Sequence, residues 1–433
     1  MSHRLQPGRL LTVLLCAGAF TLAGCSVGRT IDYEQTDLIR AAAEVPDDER
    51  LDVGIILFDP GVEAGSPPDE KKLVFPEVRQ AEARYMPYQL KNTLEGSGQW
   101  GSVWVVPERS EAVDVTVWGR IDKSDGLDAV LRVGAWDATG REWLNKKYAT
   151  TVPEKAYSKY RETGQDPYQS LYNEIANDLL EVRRGLSRKE LTTVRNVAEL
   201  RYGAELVPAA FAELLEQDKS GIYRPRRLPA ADDPMVGRMR AVRDREYALL
   251  DALNEYYANL YYELGKPYED WRKMSREEMI RYQDLRRSAF VRGAAGAAAL
   301  LAAILYESSG GSNSAVTMAG VIGGFEGIKS AMGKSEEASV SLDALKEAGA
   351  GFNAEAEPLV VEVEGQTRRL TGTAEARYKE WRRLLREIYA AETGVPVLQA
   401  ETQLQPGADA EPVPAPQERI GPIAGSHATT RSG

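Results

Sequence analysis

Apolar positions along the chain change period several times, and each change predicts an element. Asp52 to Phe58 (DVGIILF) is a continuous aliphatic run closed by Asp59-Pro60-Gly61, the pattern of a strand buried on both faces and ended by a turn. Phe75 to Leu94 carries Val78, Tyr85, Leu90 and Leu94 at helical spacing and stops at Gly96-Ser97-Gly98, with Pro87 expected to kink it. Strands are predicted over Ser102–Val106, Val113–Ile121, Ala129–Trp136 and Glu142–Tyr148, with tight turns at Ser124-Asp125-Gly126 and Thr139-Gly140. The alternation in VDVTVWGRI and AVLRVGAW places one face of an antiparallel set on a core. Asp166-Pro167 then opens an amphipathic helix in which Leu171, Ile175, Leu179 and Val182 share one face.

From Ser187 onward the period is helical. Leu191–Leu215 predicts one or two helices broken near Gly203 and Pro208, and Asp218–Pro234 a linker or surface loop. Met235–Leu264 predicts a long helix ended by Gly265 and Pro267. Its Tyr247, Tyr256, Tyr257, Tyr261 and Tyr262 form a stripe suited to helix packing, or to stacking on glycan rings, and packing is the expectation. A new helix is expected at Ser275, where Glu278 completes a capping box, running through Met279, Leu285 and Phe290. Ala338–Ala356 reads as a helix, Leu359–Leu370 as a hairpin turning at Glu364-Gly365-Gln366, and Ala374–Ala391 as a final helix. A short helix is also expected at Asp37–Glu44.

The class is therefore α+β: a small α/β domain with a largely antiparallel sheet, then a mainly helical domain with a glycine-rich helical hairpin and a small β-hairpin. The expected divisions are a signal segment over 1–24, a tether over 25–50, the α/β domain over 51–184 and a helical connector and loop over 185–234. A helical domain with the glycine-rich hairpin follows over 235–334, a helix–hairpin–helix module over 335–393, and a tail over 394–433. The tail is rich in Pro, Ala, Gln and Gly and has too few large apolar residues to offset its ordering entropy, so disorder is expected there.

The stretch from Gly293 to Ser335 is the least ordinary. Its Gly333-Lys334-Ser335 has Gly327 six positions earlier, one out of register for a phosphate loop, and no strand precedes it, so no nucleotide is expected. The charge-free run Gly293–Tyr306 is short of the ~20 residues a membrane span needs, and Ser308–Phe325 contains Asn313 and several glycines and hydroxyls. Gly293, Gly296, Gly320, Gly323, Gly324 and Gly327 fall at three- and four-residue intervals, which allows two helices to approach closely. That packing serves either the interior of the fold, or a homo-oligomer, or insertion into a membrane.

Composition narrows the chemistry. The chain holds only Cys16 and Cys25, and only His3 and His427, so the body of the sequence has no thiol or imidazole for nucleophilic catalysis or a His-built metal site. Gly-x-Ser-x-Gly and Ser-x-x-Lys elements are missing as well. No enzyme activity, metal or cofactor is expected. The net charge of -11 argues against nucleic acid.

Arg4, Arg9 and the apolar run Leu10–Leu22 form an export signal. The Leu22-Ala23-Gly24-Cys25 that follows resembles the bacterial lipobox, which implies acylation of Cys25 as the mature N-terminus and an anchor in lipid. Ser26 in place of Asp implies the outer membrane by the same resemblance, with the folded part facing the periplasm. The elements VGIILFDPG, LEGSGQWGSVWVVPE, VDVTVWGRI and LRVGAWDATGREW, within Leu51–Arg184, are similar to the small α/β domain of the curli-secretion and peptidoglycan-synthase-activator type of periplasmic lipoprotein. They depart from it in lacking its full Arg/Glu-ended second strand. Domains of that kind bind partners. The glycine-rich stretch resembles glycine-zipper hairpins of outer-membrane lipoproteins, and VEVEGQTRRLTGT between helices resembles half of a BON-type envelope module. Together these imply a scaffold or adaptor with envelope proteins as partners, or a secretion or pore component, or a regulator of a peptidoglycan synthase.

Overall fold

The computed structural model describes residues 35–63, 65–69, 73–163, 165–230, 232–307, 343, 359–363, 366–370 and 373–394. Cys25, Gly320, Gly323, Gly324, Gly327, most of Ala338–Ala356 and the tail after Gly394 lie outside the described residues.

β1 (Val53–Ile56) leads through α1 (Pro76–Ser97) to β2 (Val103–Val106), and then to a meander of β3 (Val115–Ser124), β4 (Asp128–Asp137) and β5 (Glu142–Thr151). The sheet order is β2-β1-β3-β4-β5. β1 runs parallel to both β2 and β3, with Val53 opposite Val103 on one side and Val115 on the other, while β3–β4 and β4–β5 are antiparallel. The uninterrupted aliphatic run of β1 follows from its central place, where both faces are covered. The alternating β3 and β4 form the antiparallel part, and the class is α+β.

α2 (Glu154–Thr163) and α3 (Gln169–Gly185) close this region. α2 has only ten mostly polar residues; its one described buried aromatic, Tyr157, packs into the core, and no helix is expected there from the sequence. α1 keeps its helix through Pro87, whose ring nitrogen cannot donate to the Ala83 carbonyl one turn back. That carbonyl instead accepts the N–H of Phe58 at 3.0 Å, so the proline ties the helix to the end of β1.

The helical region comprises α4 (Arg188–Leu206), α5 (Pro208–Phe211), α6 (Pro234–Glu307) and α7 (Ala374–Thr393). Ser187 and Glu190 form a capping box at the start of α4. The expected loop over Asp218–Pro234 proves to hold half of a small antiparallel hairpin, β6 (Leu215–Gln217) with β7 (Tyr223–Pro225). β8 (Leu359–Val363) and β9 (Gln366–Leu370) pair antiparallel at the predicted place.

The main correction concerns α6. Gly265 and Pro267 do not end it and Ser275 does not cap a new helix, because one helix of 74 residues runs through all three. Ser275 is buried inside it, and Glu278 pairs with Arg281 at 2.6 Å instead of reaching back. The reason is tertiary. Val236, Met239, Val242, Leu249, Leu250, Leu253 and Tyr257 share a core with Trp104, Val105 and Val106 of β2 and with Tyr378, Trp381 and Leu385 of α7. Farther on, Leu264, Tyr268, Trp271 and Met279 share another with Phe75, which caps α1, with Val78 and Tyr85 of α1 and with Leu127 of the β3–β4 turn. A break at Pro267 would lift the second set out of its core; keeping the helix continuous costs about 3 kcal/mol at the proline and retains that burial.

The tyrosine stripe packs as expected. Tyr247 stacks on Trp104 at 4.9 Å and Tyr261 on Tyr85 at 4.5 Å between ring centroids, while Tyr262 is exposed. On the other side of the sheet, Ala83, Met86, Leu90 and Leu94 of α1 and Leu171, Ile175 and Leu179 of α3 cover Val53, Ile55, Val117 and Val133.

Buried polar groups lock α6 in place. Arg272 forks onto Asp166 with two bonds of 3.0 Å, both side chains fully buried, and lies over the rings of Tyr268 and Tyr168 at 4.0 and 4.9 Å. Glu82 accepts from Tyr268 at 2.7 Å and Ser124 at 2.5 Å, and burial raises its carboxyl above the usual range. Gly126, at φ +78, lets the β3–β4 turn meet the helix backbone, since a Cβ there would sit 1.9 Å from the Arg272 carbonyl oxygen.

Candidate ligand cleft beside the tether

Residues 35–50 are irregular; the short helix expected at Asp37–Glu44 does not form. The segment is strapped to α3 by Ser170, Asn173 and Asn177, three and four residues apart and so on one face of the helix. Ser170 Oγ accepts from the Thr36 N–H at 2.7 Å, and Asn173 Nδ2 donates to the Thr36 carbonyl at 2.8 Å. One turn on, Asn177 takes both sides of the chain, accepting from the Ile39 N–H and donating to the Asp37 carbonyl, each at 2.9 Å. The Ala41 N–H then donates to the Ser97 carbonyl at the end of α1 at 2.8 Å. These bonds satisfy the main chain locally and remove the incentive to coil.

The strap forms one wall of a cleft of about 540 Å³, lined also by Gln89, Asn92, Thr93 and Gly96 of α1 and by Gln165, Gln169 and Asn173. Its floor is a directed chain of hydrogen bonds. Tyr261 of α6 donates to Gln89 Oε1, and Gln89 Nε2 donates to Gln169 Oε1 at 2.6 Å. Gln169 Nε2 donates to Asn173 Oδ1 at 2.8 Å and to Thr93 Oγ1 at 3.0 Å, and Asn173 passes the chain on to the strap. Each amide has its oxygen and nitrogen assigned by its neighbour, so the lining is held in one orientation and links α6 through α1 and α3 to the segment that leads back to Cys25. Charge enters through Asp37 and Arg40, which offset each other, and Arg40 Nε donates to the Gly96 carbonyl at 3.3 Å.

A second cleft, of about 370 Å³, lies where α6 crosses the free edge of β2 and is lined by Tyr88, Lys91, Glu95, Trp104, Asp251 and Asn254 among others. Here Asn254 accepts from the Val105 N–H at 2.8 Å and donates to the Val105 carbonyl at 3.0 Å, and Trp104 donates to Asp251 at 2.8 Å. The carboxamide stands where a further strand would pair and closes that edge.

One buried acid stands apart from both clefts. Asp114, at the start of β3, accepts from the Asp52 N–H at 2.9 Å, and burial together with the nearby Asp52 carboxylate pushes its carboxyl up to about 7. It joins the starts of β1 and β3, where Asp52 also receives the N–H groups of Asp114 and Val115 on its carbonyl.

The structure places Gly293 and Gly296 on the unbroken α6, and the other predicted site residues, Cys25, Gly320, Gly323, Gly324 and Gly327, lie outside the described residues. No cleft residue is expected from the sequence as a site residue, although Gln165, Gln169, Asn173 and Asn177 recur every fourth position in QDPYQSLYNEIAN. That row is the visible signal. Only the apolar face of the same helix enters the sequence reading. Among the described residues no group of three or more His, Cys, Asp or Glu could hold a metal ion, and no helix is long and apolar enough to cross a membrane. No protein-family model matches this chain, and no curated protein or solved structure matches it either.

Proposed function

We propose that this chain is a non-enzymatic adaptor, anchored in the outer membrane through acylated Cys25, whose periplasmic body docks an envelope protein. The observation that carries the reading is the strap. The chain that follows Cys25 is hydrogen-bonded along α3 and forms the wall of a polar cleft with a fixed lining. Residues 25 to 36 reach at most about 40 Å when extended, so the cleft stays close to the bilayer. A partner held there is tethered at high local concentration near the membrane.

Reversible crosslinking in cells, followed by affinity purification of the full chain, tests this. Wild type should fractionate with the outer membrane and recover a discrete envelope protein, and Cys25→Ser should release the chain and lose that protein. Retention of Cys25→Ser in the membrane fraction, or purification of the chain without any partner, sinks the adaptor reading. Recovery of a peptidoglycan synthase alone would make the adaptor a regulator of that enzyme.

A second reading, a secretion or pore component, draws on the unbroken passage of α6 through Gly293 and Gly296. Deleting residues 293–332 should then abolish a large detergent-stable oligomer, whereas an adaptor would remain a small species.

A further inference from the structure

We infer that the cleft between the strap, α1 and α3 binds the main chain of an extended peptide segment, held by carboxamides and with little regard to its side chains. The inference rests on the adaptor reading and supplies the chemistry of its docking site.

The molecule already uses this recognition on itself. Asn254 brackets the N–H and carbonyl of Val105, Asn177 brackets Ile39 and Asp37, and Ser170 with Asn173 brackets the two sides of Thr36. A carboxamide offers one acceptor and one donor side by side, which matches the alternating polar groups of extended backbone. The cleft continues the same row, with Gln165, Gln169 and Asn173 on one side and Gln89, Asn92 and Thr93 on the other. The chain from Tyr261 to Asn173 uses both Nε2 hydrogens of Gln169 and fixes the inner amides, so what they offer a ligand, the second N–H of Gln89 and of Asn173 and the remaining oxygen lone pairs, needs no reorientation.

The lining also separates this ligand from others. An anion would meet Arg40 alone among the cationic lining residues, and the lining carries Asp37 as well, so it has no net positive charge. A sugar ring gains most from an aromatic face, and the cleft lining is made of amides, a hydroxyl, the Asp37 and Arg40 pair, Leu38 and Gly96. A peptide backbone needs neither charge nor ring. Its volume lies within the range of ordinary ligand clefts.

The test uses the full acylated chain in detergent micelles, with a fluorescent acetyl-Ala-Ser-Ala-Thr-Ala-Ser-amide probe read by anisotropy. Single ester analogues of the probe each remove one backbone N–H, and an N-acetylglucosamine tetramer serves as competitor. Saturable binding is expected, weakened at least fivefold by Asn92→Ala and by at least one ester, and unaffected by the tetramer. Asn92 is half-buried, and thermal melting of Asn92→Ala confirms the fold. Absence of saturable binding, indifference to both Asn92→Ala and every ester, or displacement of the probe by the tetramer overturns the inference. If the probe fails while the crosslinked envelope protein still co-purifies from cells, the adaptor reading stands and the cleft assignment falls. Loss of both removes both.

Discussion

Asp114 offers a measurable consequence of burying an acid next to another acid. Its carboxyl is held at about 7 in the fold, against an ordinary aspartate value of 3.8. Below about pH 4 the group is protonated in folded and unfolded chains alike, and nothing is lost. Between about pH 4 and 7 the unfolded chain releases this proton while the folded chain keeps it, so stability falls by ~1.4 kcal/mol per pH unit. Above 7 the loss levels off at roughly 4 kcal/mol. Asp114→Asn carries no proton to release and keeps an oxygen for the Asp52 N–H. It should therefore stabilise the protein at pH 8, and by less at pH 5. Urea unfolding of both proteins at both pH values isolates the group together with its coupling to Asp52, since titrations uncoupled from Asp114 cancel in the double difference. That difference should be about 3 kcal/mol, with the asparagine chain gaining on wild type as pH rises. Parallel stability curves for the two proteins between pH 5 and 8 would show that Asp114 is ionised in the fold and would refute the reasoning.

Two further predictions concern how α6 is held. Asp166→Asn leaves the fully buried Arg272 without its counter-charge and should cost ~3–5 kcal/mol by urea unfolding. Asp166→Leu combined with Arg272→Met should recover most of that loss, and a double mutant as unstable as the single one would mean that the pair itself supplies net stability. Pro267→Ala should raise stability by up to ~3 kcal/mol, because the helix passes through this position without a break. A loss of stability in that variant would place a real helix end at Pro267.

Much of the α/β region was legible because its signals are local. The buried run ended by Asp59-Pro60-Gly61, the alternation of β3 and β4 and the turns at 124–126 and 139–140 each state a conformation within a few residues. α2 escapes the sequence because its apolar face is short and lies in a mostly polar ten-residue stretch, and the strap reads as a helix because its partners, Asn173 and Asn177, lie far along the chain. The cleft was legible in part. A row of carboxamides every fourth residue can be seen in QDPYQSLYNEIAN, yet on a helix it reads the same as any solvated face until α1 is laid beside it.

By itself, then, the sequence determined the class, the strands of the five-stranded sheet and of the β8–β9 hairpin, the resemblance to a lipobox at Cys25 and the scarcity of thiol and imidazole. These follow from composition and from short-range periodicity. Tertiary structure decided that α6 runs unbroken through Gly265, Pro267 and Ser275, and that Gln89 meets Gln169 to build the cleft. The physical reason is the same in both cases. Breaker residues and polar faces set local preferences of at most a few kcal/mol, and buried contacts from distant parts of the chain outweigh them.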